Sequence, residues 1–188
     1  MSKLDIVTLT LSLILGLSIA QILSAVAAAI RGHRQHLDWI PMTWAAAIFL
    51  LHVQFWFAIV DIGTLTSEWS WDWYAPVLLT AVLLFLSGAL VLPSRDHEWT
   101  LGMKADFERN GRFALIPFSL YMLVWIPINI RMSGWFDPTN ILNLVLVGLA
   151  ALAFAQRTRR YRGIATAAYL VLVVFGMLFV WSRPGSST

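Results

Sequence analysis

The stretch Ile6-Val7-Thr8-Leu9-Thr10-Leu11-Ser12-Leu13-Ile14-Leu15-Gly16-Leu17-Ser18-Ile19-Ala20-Gln21-Ile22-Leu23-Ser24-Ala25-Val26-Ala27-Ala28-Ala29 contains no charged residue and is long enough to cross a bilayer as a helix. A secretory signal would have an apolar core of about 7–15 residues behind a basic start. This run is longer, and Asp5 offsets Lys3, so it reads as a retained transmembrane helix. Five similar runs follow, divided by prolines and charged loops. The expected spans are 4–29, 41–62, 75–92, 113–130, 141–155 and 164–181. Asp137 before Pro138 would open the fifth span earlier as N-cap and first helical residue, Asp38 before Pro41 gives the second a similar start, and Pro93 stops the third. The expected fold is an all-α integral membrane protein, a bundle of six transmembrane helices forming one domain over 1–183, with a loose tail at 184–188.

Composition agrees with lipid as the solvent. The 188 residues are 59% apolar and 12% charged, with a mean hydropathy of +0.74, against about 25% charged in an average soluble domain. Cysteine is absent, which excludes disulfides, thiolate metal sites and cysteine nucleophiles. The pI of about 9.7 does not imply nucleic acid as a partner, because the basic residues sort by loop. Arg31, Arg34, Arg95, Lys104, Arg109, Arg112, Arg157, Arg159, Arg160 and Arg162, ten of the thirteen Lys and Arg, follow the first, third and fifth spans. By the positive-inside rule both termini face the outer, non-cytoplasmic side. Trp99, Met103 and Phe107 recur every four residues between charged positions, so a short interfacial helix is expected before the fourth span; the alternative is an extension of that span.

The stretches Asp38-Trp39-Ile40-Pro41-Met42-Thr43-Trp44 and Leu51-His52-Val53-Gln54-Phe55-Trp56 resemble those of an uncharacterised family of bacterial six-transmembrane-helix inner-membrane proteins. So do Leu92-Pro93, Asp106-Phe107 and Asn110-Gly111-Arg112-Phe113. Gly111-Arg112 stands where members often have a paired basic residue. The resemblance implies a multi-pass protein of the bacterial cytoplasmic membrane and carries no activity with it.

Polar residues inside the hydrocarbon are costly and usually face a protein interior or a hydrated path. In the second span Gln54 and Asp61 lie about 20° apart around the axis and share a face. Asp61 suits either an interfacial pair with Arg131 or ion attraction and proton transfer. His52 lies on the far side of the same helix, where a packed, hydrogen-bonded histidine competes with a proton relay. In the fourth span Tyr121, Trp125 and Asn129 recur at i+4, and Pro127 frees the carbonyl of Leu123. Such a break either coordinates a cation or is a kink healed by neighbours. The candidate path residues are therefore Gln54, Asp61, Asn129, Arg131 and His52.

Thr8, Ser12, Gly16, Ala20, Ser24 and Ala28 form a small-residue stripe at spacing four, a packing face for a neighbouring helix or another subunit. Arg157, Arg159, Arg160 and Arg162 determine topology and are expected to meet anionic lipid headgroups at the cytoplasmic face. Glu68-Trp69-Ser70-Trp71-Asp72-Trp73-Tyr74, with Trp135 and Trp181, suits an outer aromatic belt or a cation-attracting vestibule.

His33 and His36 near Asp38 have metal-like spacing but flank arginines, so a solvated loop is the better reading and no metal site is assigned. Haem would need a second intramembrane histidine; no cofactor is implied. Arg95-Asp96-His97-Glu98 has no recognisable catalytic spacing, and no catalytic residues are assigned. The expected function is a channel or carrier for an ion or small solute, working as a homo-oligomer. The alternatives are an accessory or scaffold protein that binds another membrane protein or anionic lipid, and a membrane-embedded lipid-modifying enzyme.

Overall fold

The computed structural model describes residues 3–32, 37–65, 70–93 and 102–181, with side chains over 6–31, 37–59, 70–93 and 102–181. The described chain is all-helical: α1 (Lys3–Gly32), α2 (Trp39–Leu65), α3 (Trp71–Val91), the short α4 (Met103–Arg109), α5 (Leu115–Ser133), α6 (Pro138–Ala155) and α7 (Arg159–Phe175). A 3₁₀ turn, Gly111–Ala114, leads into α5, and a π turn, Gly176–Val180, continues α7. Six helices, all but α4, are long and apolar enough to cross a membrane. His33, His36, Glu68, Trp69, the cluster at 95–98, Trp99, the side chain of Asp61 and the tail at 184–188 lie outside the described residues.

The solvent preference of the bundle is inverted relative to a water-soluble protein. Leu13, Phe57 and Val171 are 64–66% exposed, while Ser18, His52, Thr80 and Ser87 are fully buried. An apolar exterior this extensive would be an aggregation surface in water and is a stable one in lipid. Helices α3, α5, α6, α7 and α2 pack successively into a closed ring, and α1 lies outside it against α3 and α2. α1 turns Val7, Leu11, Leu15, Ser18, Ile22 and Ala29 inward. Of its small-residue stripe, Thr8 and Ser12 are half-buried, while Gly16, Ala20, Ser24 and Ala28 are exposed, with nothing within 4 Å of a Cβ placed on Gly16.

Helix ends follow the capping chemistry of the sequence. Asp137 Oδ1 accepts from the Thr139 N–H at 2.7 Å and Asp38 Oδ1 from the Ile40 N–H at 2.9 Å, each satisfying a donor that a helix start leaves orphaned. Gly134 ends α5 at φ 89°, a conformation that glycine adopts without a Cβ clash, with its N–H on the Ile130 carbonyl. α7 begins at Arg159 rather than at Ile164. Arginines in a first helical turn oppose the helix dipole, and two carboxylates offset this. Arg159 Nη1 lies 2.6 Å from the buried Asp38 Oδ2, and Arg162 Nη1 lies 3.3 Å from Glu108 Oε1. Arg162 also donates to the Gln156 carbonyl. These pairs tie the starts of α2 and α7 and the end of α4 together on the arginine-rich face. α4 is a helix of its own, broken from α5 at Asn110, with Met103 and Phe107 buried.

Candidate functional site

Most hydroxyls inside the bundle are satisfied by their own helix. Thr80, Ser87, Ser119 and Thr166 donate to the carbonyls of Val77, Leu83, Leu115 and Arg162 at 2.7–2.8 Å. This is the back-bonding that lets serine and threonine sit in a membrane helix. Thr166 in turn accepts from the Trp44 indole at 3.0 Å.

His52 is satisfied across helices. Its Nδ1 lies 2.8 Å from the Ile48 carbonyl, which can only accept, so Nδ1 carries the proton and donates. Nε2 is then the acceptor for the Ser18 hydroxyl on α1, at 2.7 Å. Gly88 of α3 makes room for this pair, since a Cβ there would lie 2.7 Å from Ser18 Oγ and 3.0 Å from Ile22 Cδ1. The imidazole is neutral, fully buried and has both nitrogens occupied. It does not line the cavity that holds Gln54 and Asn129, and the structure separates it from those candidate path residues.

Long amide side chains behave differently. Gln54 of α2, Asn129 of α5 and Asn143 of α6 converge on one cavity of about 80 Å³, shared with Thr139, Tyr121 and Trp125. None of the three amides makes a hydrogen bond to another described residue, although Asn143 is only 3% exposed. The buried indole N–H of Trp125 has the Tyr121 hydroxyl as its neighbouring acceptor, short of good hydrogen-bond geometry. An amide taken out of water without a partner costs roughly 1–3 kcal/mol by protein mutational data. Of these groups only the Trp125 N–H is fully buried; the three amides are reachable from the cavity, which is where their hydrogen bonds must be made. Among the described residues the lining carries no charged side chain.

Towards the arginine-rich face aromatic rings border the cavity. Phe55 packs edge-on to Trp125 at 5.8 Å and lies 6.3 Å from Tyr121. Phe118 and Tyr169 follow, then Trp44, whose ring is 4.6 Å from Tyr169. The Tyr169 hydroxyl, in this floor, is also buried without a partner. Below it sit the Asp38–Arg159 and Glu108–Arg162 pairs. At the opposite face Thr139 in the first turn of α6 and Trp181 after α7 line the chamber.

Arg131 stands outside this site. Its guanidinium bonds Asp72 at 3.0 Å and lies 4.7 Å from the Trp73 ring centroid, both on the half-exposed rim. Asp72 also accepts from the Ser70 hydroxyl. Pro127 and Leu123 lie on the exposed face of α5, with the chamber lined by the other face through Tyr121, Met122, Trp125 and Asn129. A carbonyl freed by Pro127 is therefore on the wrong side of the helix to serve the amides. Arg157 and Arg160 are exposed, while Arg159 and Arg162 are held in the ion pairs described above. No group of three or more histidine, aspartate and glutamate side chains able to hold a metal occurs among the described residues.

Of the expected path residues, then, the structure brings together Gln54 and Asn129. Asn143, Thr139 and the Trp125 N–H complete the site. Asn143 lies one turn after Asn140 at the start of α6, a pair whose i, i+3 spacing was the available signal, and the packing of α6 on α5 shows that Asn143 faces Asn129.

No protein family, curated protein or solved structure matches this chain.

Proposed function

We propose that this chain is a carrier or gated channel for an ion or small solute, with the amide-lined chamber between α2, α5 and α6 as its binding place. The observation that carries this reading is the convergence of the amides of Gln54, Asn129 and Asn143, which bond no other described residue, on one cavity in an apolar bundle. Unsatisfied polar groups at membrane depth are tolerated where they line a hydrated or ligand-binding space. The aromatic floor favours a carrier over an open pore, because passage requires Phe55, Phe118 and Tyr169 to move. The setting that fits is a bacterial inner membrane with both termini outward, on the distribution of arginine and the resemblance of the motifs. Arg157 and Arg160 then lie at the cytoplasmic headgroups, where each exposed guanidinium attracts anionic lipid.

The test is flux into proteoliposomes of K⁺, H⁺, Cl⁻ and small uncharged solutes, with empty liposomes as reference. Protein-dependent flux of at least one species that falls on Asn143→Leu is the expected result. Absence of flux for all of them sinks the transport reading.

One observation favours a second reading, in which the chain is an accessory protein. Gly16, Ala20, Ser24 and Ala28 are an exposed small-residue face, suited to close approach by another helix. It would serve a homo-oligomer of the carrier or a partner membrane protein equally. Gly16→Leu removes co-purification of the partner, or reduces the oligomer to a monomer, if this face is used.

A further inference from the structure

The fourth membrane span carries an arginine near each end, and the two are held differently. The span covers Gly111–Ser133, 23 residues, about 34 Å at 1.5 Å a residue. Both ends therefore reach the headgroup level of a bilayer whose hydrocarbon core is about 30 Å thick. Arg131 at one end is paired with Asp72. Arg112, at the arginine-rich end, is half-buried and makes no hydrogen bond or ion pair with another described residue. Its guanidinium instead lies 5.3 Å from the Phe113 ring centroid and 5.6 Å from that of Phe154 on α6, two rings packed edge to face. Such cation–π contacts position a guanidinium without neutralising it. A Cβ on the preceding Gly111 would lie 3.2 Å from the Val91 carbonyl at the end of α3, so Arg112 turns to the other side, towards α6. Its Nε is covered, while the two Nη groups reach the surface.

We propose that this corner binds an anionic phospholipid, with the phosphodiester on the Nη edge of Arg112 and an acyl chain along Phe113, Ile116 and Leu120. The Nη pair is a planar fork that can grip two phosphate oxygens at once. Phe113, Ile116 and Leu120 are 43–46% exposed and recur every three or four residues, so they form one apolar strip leading from the arginine into the membrane. A free phosphate ion would use the fork and gain nothing from the strip. Net charge selects among lipids. Arg109, one turn before Arg112, and Arg157, three residues after Phe154, are exposed, while Glu108 is engaged by Arg162. A headgroup with net negative charge is favoured over a zwitterionic one there. The site is separate from the amide-lined cavity and independent of what crosses the membrane.

Purified full-length protein in detergent, titrated with phosphatidylglycerol or with phosphatidylcholine of the same acyl chains and read by native mass spectrometry, counts bound lipid. Expected is one tight phosphatidylglycerol adduct, favoured about fivefold over phosphatidylcholine. Arg112→Gln weakens it about tenfold, the effect of losing charge-assisted hydrogen bonds to phosphate. Arg112→Lys keeps the charge without the fork, weakens it about threefold, and decides the matter if the glutamine variant fails to fold. Arg160→Gln removes an equal charge from the same face and leaves binding within about twofold, because an exposed charge is screened. Unchanged binding in the folded Arg112 variants overturns the proposal, as does equal binding of phosphatidylcholine. An equal loss in Arg160→Gln overturns it in favour of diffuse attraction by the whole face. Displacement of the lipid by millimolar inorganic phosphate overturns it in favour of a free-anion site.

Discussion

His52 and Gln54 stand two residues apart on α2, both polar and both within the span of an apolar helix, and they meet opposite surroundings. On the His52 side, α1, α2 and α3 approach so closely that a Cβ at position 88 would press on Ser18 Oγ and Ile22 Cδ1, and each ring nitrogen has a partner. On the Gln54 side, α2, α5 and α6 leave a cavity, and the amides around it have none. A satisfied polar group in hydrocarbon is a packing device, because breaking it strands its partner. An unsatisfied set is a binding surface, since only an occupant removes its desolvation cost. Residue type does not distinguish the two sides; partner count does.

The sharpest way to break this contrast is to make substitutions of the same intent on the two sides. His52→Ala removes the ring from a fully packed crossing and leaves the Ser18 hydroxyl without its acceptor. The expected loss is about 2–4 kcal/mol, combining a cavity with an orphaned donor, read as a clear fall in unfolding temperature in detergent. Gln54→Leu replaces a partly buried amide that has no protein partner. Its expected effect has the other sign, a gain of about 1 kcal/mol. A comparable loss for Gln54→Leu would show that the amide is a structural group like His52.

A smaller effect tests why the first side is dry. Gly88→Ala puts a methyl 2.7 Å from Ser18 Oγ and 3.0 Å from Ile22 Cδ1. Overpacking of this kind costs about 1–3 kcal/mol, and here it also pushes the Ser18 hydroxyl off His52. Thermal unfolding of G88A measures the cost, and an unchanged midpoint would mean that α1 rides loosely on α3.

The six spans were legible because apolar runs, Pro93 and the Asp137–Pro138 cap are local signals, and lipid demands them of every helix. Their ends were less so. The start of α7 at Arg159 depends on Asp38 and Glu108, which come from distant parts of the chain. Gln54 and Asn129 were marked as polar residues at membrane depth, and their meeting is a product of how α2 and α5 pack. The same criterion also selected His52, because sequence shows a polar side chain and not its partners. Ser18 and Gly88, which decide its role, look in sequence like two more small residues. The small-residue stripe of α1 showed a close-packing face without saying that most of it points out of the bundle.

The charged rim belongs to neither side of the contrast, and it carries the smallest expected effect. Arg131 and Asp72 form their 3.0 Å pair with both side chains more than half exposed, and Arg131 also lies against Trp73. Exposed pairs contribute little because water and salt screen them and because two long side chains lose freedom in forming them. Arg131→Gln should therefore leave the unfolding temperature within experimental scatter. It should also leave protein-dependent flux unchanged, since the Arg131 side chain does not line the cavity. A lowered flux that recovers in Arg131→Lys would move the rim charge into the site and widen the functional side of the molecule from its amides to its mouth.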